Sequence, residues 1–172
     1  AADFIKVVDI ATRIELLLSP TFIPFTPWST VKDYLHLLKS IADLGLVDNV
    51  ASVQLSIRLL IPLGSRLLEL EEIKAISGEF DKKALSYPWK FEDSRMKLLA
   101  NNARKIVENG ERKKETRQQI FMKLWDAANN AQNRPNTPKE TLRISPKLSK
   151  IPKMSEAWYC CAEPTQFQVE NI

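Results

Sequence analysis

Two adjacent thiols, Cys160 and Cys161, are the residues of this chain best suited to chemistry. Consecutive Cα atoms stand about 3.8 Å apart, below the usual disulfide range that begins at about 4.4 Å. A bridge between the two would be strained and readily reduced. Vicinal thiols instead suit a soft metal, a mixed disulfide with a partner, or one reactive thiol beside a spare. They read equally well as two small buried side chains beside Trp158 and Tyr159. As nucleophiles or redox groups, Cys160 and Cys161 are the candidate catalytic residues. A second group is Gln54, Ser56 and Arg58, polar residues at alternate positions in an apolar run. A guanidinium there needs an anionic partner, either in a structural ion pair or on the carboxylate or phosphate of a ligand.

Other chemistry is sparse. The one histidine, His36, sits in a helical pattern and reads as structural. With no third cysteine, no zinc site or cysteine-ligated iron–sulfur cluster can be completed from this chain. Glu69, Glu71 and Glu72 read as a solvated helix face. Arg134, Lys139, Arg143, Lys147, Lys150 and Lys153 alternate with prolines and have no interleaved aromatics. That spacing lacks the clustered charge and stacking rings of a nucleic-acid surface, so nucleic acid is not the expected partner.

The elements that must position these groups follow from periodicity. Val53, Leu55 and Ile57 alternate with Gln54, Ser56 and Arg58, and period two predicts a strand over 53–61 that stops at Pro62. Such a strand suits a sheet edge over water, or a barrel whose polar face looks into a lumen. A first strand is expected over 16–23, with Pro20 near a sheet margin. Between them a helix over 31–44, capped by Ser29 or Thr30 and closed by Gly45, would make a βαβ unit with parallel pairing. Sites in such units lie at the carboxyl ends of the strands, which brings in Thr26 and Trp28. Further helices are expected over 2–14, 65–76, 94–110 and 112–131, the last two antiparallel.

The expected organisation is α/β but mostly helical. Residues 1–78 carry the βα units, 79–133 a helical cap, and 134–172 a basic, proline-rich arm with an aromatic end. With ordinary composition, a net charge of +4 and no apolar run long enough to span a bilayer, the chain reads as a globular domain, and its two adjacent cysteines argue against a secreted disulfide framework and for a cytoplasmic location. The start at Ala1-Ala2-Asp3 has no signal-peptide layout and reads as a cut piece. A two-stranded sheet leaves open edges, so the isolated chain is expected to self-associate as a homo-oligomer, covering Leu17, Phe22, Leu55, Ile57 and Leu59. Arg58→Ala is expected to lose ligand affinity more than stability.

Three stretches carry a resemblance: Pro20 to Thr30, Val53 to Ser65, and Trp158-Tyr159-Cys160-Cys161-Ala162-Glu163-Pro164. The first two resemble the last part of a radical S-adenosylmethionine barrel. The third is similar to the defining end of the CUAEP/CCAEP-tail radical SAM proteins, in which selenocysteine can stand at the position of Cys161. The resemblance implies a remnant of a partial (β/α) barrel, followed by a helical hairpin and an extended C-terminal tail. It implies a parent enzyme with S-adenosylmethionine and a 4Fe–4S cluster, and in many relatives an upstream cobalamin-binding domain. Thr26, Trp28, Gln54, Ser56 and Arg58 would then contact cofactor or substrate, and the partner would be the N-terminal remainder of the parent. The family's CxxxCxxC motif is absent from these residues, so the chain alone should be inert.

Overall fold

Helices account for nearly all regular structure in the computed structural model, which describes residues 2–132. In chain order they are α1 (Ala2–Arg13), α2 (Val31–Asp43), a 3₁₀ turn at Ser52–Leu55, a second at Arg66–Glu69, α3 (Glu71–Ile76), α4 (Ser94–Arg112) and α5 (Arg117–Ala131). The basic arm, Cys160, Cys161 and the tail motif lie outside the described residues.

Each long helix after the first starts at a side-chain cap. The Thr30 hydroxyl accepts the Asp33 amide at 3.2 Å, and the Asp33 carboxylate accepts the Thr30 amide at 3.0 Å. This reciprocal box satisfies two amides that have no partner within the helix. The Thr30 hydroxyl, 2.7 Å from Asp33 Oδ2, and the Thr30 amide together hold the Asp33 carboxyl below its ordinary range. Asp93 caps α4 by accepting the Arg95 amide at 2.8 Å, and Thr116 and Gln119 form a second box at the start of α5. Thr116 therefore precedes its helix, which begins later than residue 112. Gly45 follows α2 with φ +68°, a left-handed conformation that costs glycine little.

Apolar positions three and four apart give α2, α4 and α5 one buried face each. Val31, Tyr34, Leu38 and Ile41 meet Met96, Leu99, Ala103 and Val107, and Ile120, Phe121, Leu124 and Ala128, in one core. Thus α2 shares its core with the two helices expected to form a separate cap. Gly110 lets α4 and α5 approach closely, since a Cβ there would stand 2.5 Å from Ile120 Cγ1. The start of α5 is tied to the loop after α2. Arg117 Nη1 donates to the Asp48 carbonyl at 2.8 Å, and Gln118 Nε2 to the Asp48 carboxylate at 2.9 Å.

Neither expected strand forms among the described residues. The stretch 16–23 is irregular, and 53–61 begins inside a 3₁₀ turn. The cause lies in where the backbone groups of 16–23 find partners. Asn49 Nδ2 donates to the Leu18 carbonyl at 2.9 Å, and the Gln54 side-chain oxygen accepts the Phe22 amide at 3.1 Å. Side chains thus take groups that a ladder would need, and Pro20 and Pro24 have no amide to offer. What remains of the parallel pairing is one bridge between Phe25 and Arg58. Its two bonds run from Phe25 N–H to the Ile57 carbonyl at 3.2 Å and from Leu59 N–H to the Phe25 carbonyl at 2.8 Å. The apolar residues expected to need an outside partner are covered only in part within the chain. Leu55 and Ile57 are buried, and Leu17, Phe22 and Leu59 are half-buried.

A second, smaller core forms around Ile61, Ile73 and Trp89. The expected helix over 65–76 breaks at Leu70 into the 3₁₀ turn and α3, both packed in this cluster. The connector that returns to α4 is held by short bridges. Tyr87 N–H donates to the Ile61 carbonyl at 2.8 Å, and Gly78 N–H to the Pro88 carbonyl at 2.7 Å. Phe91 packs against both cores.

Candidate functional site

Arg58 stands where the two cores meet. The Phe25 bridge fixes its backbone, and its guanidinium carbon lies 4.0 Å from the Trp89 ring centroid and 5.2 Å from that of Phe91. A guanidinium over an indole face is favoured by the ring quadrupole. Trp89 and Phe91 pack edge to face at 4.6 Å, so the two rings hold one another as well as the cation. Arg58 Nη2 also donates to the Trp89 carbonyl, while Trp89 Nε1 donates to the Leu59 carbonyl at 2.8 Å. The charge is thereby fixed in place.

Beside it opens a cleft of about 410 Å³ between the Val53–Arg58 segment and α4. This volume falls within the range of small-molecule sites. Four cationic side chains line it: Arg58, Lys90, Lys97 and Arg104. The Ser56 hydroxyl and the Asn101 amide add polar groups, and Val53, Ile57, Phe91 and Ala100 form an apolar wall. Among the described residues no carboxylate lines it. Glu108 pairs with Arg104 from outside at 3.8 Å, an exposed contact that contributes little.

A second cleft of about 340 Å³ lies on the other side of Phe91, which lines both. Trp28, Glu72, Glu92 and Asp93 border it, and Trp28 Nε1 donates to Glu72 at 3.0 Å. The two clefts thus differ in the sign of their charge.

The five expected binding residues separate accordingly. Ser56 and Arg58 line the cationic cleft, and Ser56 Oγ donates to the Val53 carbonyl at 3.0 Å. Gln54 is buried and spent on the Phe22 amide. Thr26 forms a local turn, its hydroxyl 2.7 Å from that of Ser29. Trp28 belongs to the acidic cleft. The expected shared face of Gln54, Ser56 and Arg58 is not formed, because a 3₁₀ turn repeats every three residues and not every two. Glu69, Glu71 and Glu72 are exposed as expected, and so is His36.

Lys97, Asn101 and Arg104 were missed because their spacing reads as the solvated side of a helix. That i, i+4, i+7 stripe is nevertheless a sequence signal, one polar line on α4 beside its buried face. Among the described residues no group of three or more His, Cys, Asp or Glu could hold a metal ion, and no helix is long and apolar enough to cross a membrane. No protein-family model, curated protein or solved structure matches the chain.

Proposed function

We propose that this chain is a helical interaction module that joins a partner chain and carries a thiol- or soft-metal-binding tail. The observation that carries the reading is an apolar stripe left outside a closed core. Val7 and Ile10 on α1, and Ile14 just past its end, are 50%, 57% and 65% exposed, while Phe4, Val8 and Ala11 face inward. Contiguous apolar surface of this kind marks contact with another protein. In the isolated chain the simplest occupant is a second copy, and in a longer parent it is the N-terminal remainder. The tail would use Cys160 and Cys161 as soft ligands in the cytosol, where thiols stay reduced. Sedimentation of the full chain should give a dimer that becomes monomeric in Ile10→Glu/Ile14→Glu. Titration with a soft metal should give stoichiometric binding that Cys160→Ser plus Cys161→Ser abolishes. A monomer at high micromolar concentration that binds no metal would refute the module.

The tail motif favours a second reading, in which the chain is the C-terminal part of an enzyme resembling the CUAEP/CCAEP-tail radical SAM proteins. The Phe25–Arg58 bridge supports it, because it joins in parallel the two segments that carry the barrel resemblance, with α2 between them. A 4Fe–4S cluster does not fit this chain, since two adjacent cysteines cannot supply its thiolate ligands. The cluster, S-adenosylmethionine and any cobalamin would belong to the upstream remainder. The full-length gene product decides between the readings. Iron–sulfur reconstitution with reductive cleavage of S-adenosylmethionine would support the enzyme. A full-length product with no CxxxCxxC before Ala1 would exclude it.

A further inference from the structure

We propose that the groove beside Trp28 receives the chain's own arm, the segment Arg134-Pro135-Asn136-Thr137-Pro138-Lys139, in an extended polyproline conformation. This inference goes beyond both readings above, because neither gives the start of the arm a binding partner.

The groove, of about 340 Å³, combines apolar lining with an acidic rim. Pro27, Ile76, Phe91 and Met96 supply the apolar lining, and Trp28 adds an exposed aromatic ring. Trp28 Nε1 donates to Glu72 at 3.0 Å, which fixes the indole with a carboxylate beside it. Glu92 and Asp93 complete the rim. Asp93 is engaged by Arg95 at 2.9 Å, so Glu72 and Glu92 are the carboxylates assigned to the arm. Aromatic-lined grooves take proline-rich segments because that conformation is preformed and loses little entropy on docking. Pro135 and Pro138 stand three apart, which puts both rings on one side of a helix that repeats every three residues. Arg134 and Lys139 bracket them with a cation at each end. Charge selects this groove over the cleft across Phe91, whose lining includes Arg58, Lys90, Lys97 and Arg104.

The fold delivers the arm to the same end of the molecule. The short connection between α4 and α5 makes these packed helices antiparallel, and Gly110 lies against Ile120. Counted from that contact, Ala131 at the end of α5 is level with Leu99, about one turn from Met96 in the groove. The bonds from Arg117 and Gln118 to Asp48 agree, because they set the start of α5 beyond the C-terminal end of α2. From there α5 runs back toward Thr30, which borders the groove at the other end of α2. Residues 133–139 span about 22 Å in polyproline geometry, several times the one-turn offset. A tether this short holds the segment at an effective concentration on the order of millimolar.

The test uses the full chain and follows the indole N–H signal of Trp28 by NMR, assigned by its loss in Trp28→Phe. An arm variant, Arg134→Glu/Pro135→Gly/Pro138→Gly/Lys139→Glu, should keep the thermal melt within a few degrees and shift that signal. Arg134→Glu/Lys139→Glu, which retains the prolines, should shift it part of the way. A peptide of residues 133–139, blocked at both ends, should return the arm variant's signal saturably toward that of the unmodified chain. It should bind the arm variant about tenfold or more tightly than it binds the unmodified chain, where the tethered copy competes. Adding Glu72→Gln/Glu92→Gln keeps an oxygen acceptor for Trp28 and should weaken the peptide by about threefold or more, as should rising salt. The proposal is overturned if the Trp28 signal is the same with and without the arm substitutions, or if the peptide binds both chains equally. It is also overturned if unlabelled unmodified chain restores the signal of labelled arm variant, since the arm of a second copy would then fill the groove.

Discussion

A guanidinium laid on an indole ring contributes through its face as well as its charge, and Arg58 uses both. Its stacking on Trp89 is worth about 0.5–2 kcal/mol, and a charged hydrogen bond to the Trp89 carbonyl adds about as much. Arg58→Ala should therefore lower unfolding stability by about 2 kcal/mol in a urea titration. Arg58→Lys should recover only part, because an ammonium has no planar face. A loss of affinity alone, with an unchanged urea midpoint, would contradict this. Tyr34 makes the complementary case of a neutral group. It is fully buried against Phe25, with ring centroids 4.9 Å apart, and its hydroxyl donates to the Leu55 carbonyl at 2.8 Å. Burial pushes its pKa far up, so the folded state holds the phenolic proton more tightly than the unfolded chain does. Stability from this group is complete below about pH 10 and declines as pH rises above it. Tyr34→Phe should flatten that alkaline limb and cost about 1 kcal/mol at neutral pH, read as the urea midpoint across pH. At this scale the sequence singled out Arg58 and Ser56, which line one cleft. It could not show that Trp89, thirty-one residues away, would carry the cation.

At the scale of elements, local signals were sufficient for the long helices α2, α4 and α5, but not for the helix over 65–76, and were misleading for the strands. The caps at Thr30, Asp93 and Thr116 and the apolar spacing of α2, α4 and α5 act within a few residues, so periodicity finds them. The strand at 53–61 depended on a distant ladder partner. Gln54 and Asn49 removed that partner by bonding residues 32 and 31 positions earlier. Alternation alone cannot detect such competition. The α4–α5 contact offers a sharp test of packing. Gly110→Ala gains helix propensity of about 1 kcal/mol, yet its Cβ would meet Ile120 at 2.5 and 2.7 Å. Ile120 is fully buried and cannot swing aside. The variant should be net destabilised by about 1–2 kcal/mol in thermal melts. Adding Ile120→Val, which removes the Cδ1 atom, should return part of the loss. A melt raised by Gly110→Ala would show that the two helices slide apart freely.

At the largest scale, two cores of unequal size among the described residues meet at one ring. The larger holds α2, α4 and α5, and the smaller rests on three buried side chains, Ile61, Ile73 and Trp89. Phe91 touches both and separates a cation-lined cleft from an acidic one. A satellite cluster of that size cannot match the free energy of the main core, and regions with fewer buried contacts open separately. Amide hydrogen exchange should therefore divide the chain. Amides bonded within the small core, at Ser77, Gly78 and Tyr87, should exchange through a sub-global opening with weak denaturant dependence. Amides along α4 and α5 should exchange only with global unfolding. Uniform protection across both sets would show a single cooperative unit. If the division holds, solvent enters the Arg58 cleft each time the small core opens, because Trp89 leaves with it. The cleft would then open and close with a local breathing motion, readable from amides at Gly78 and Tyr87 that do not line it.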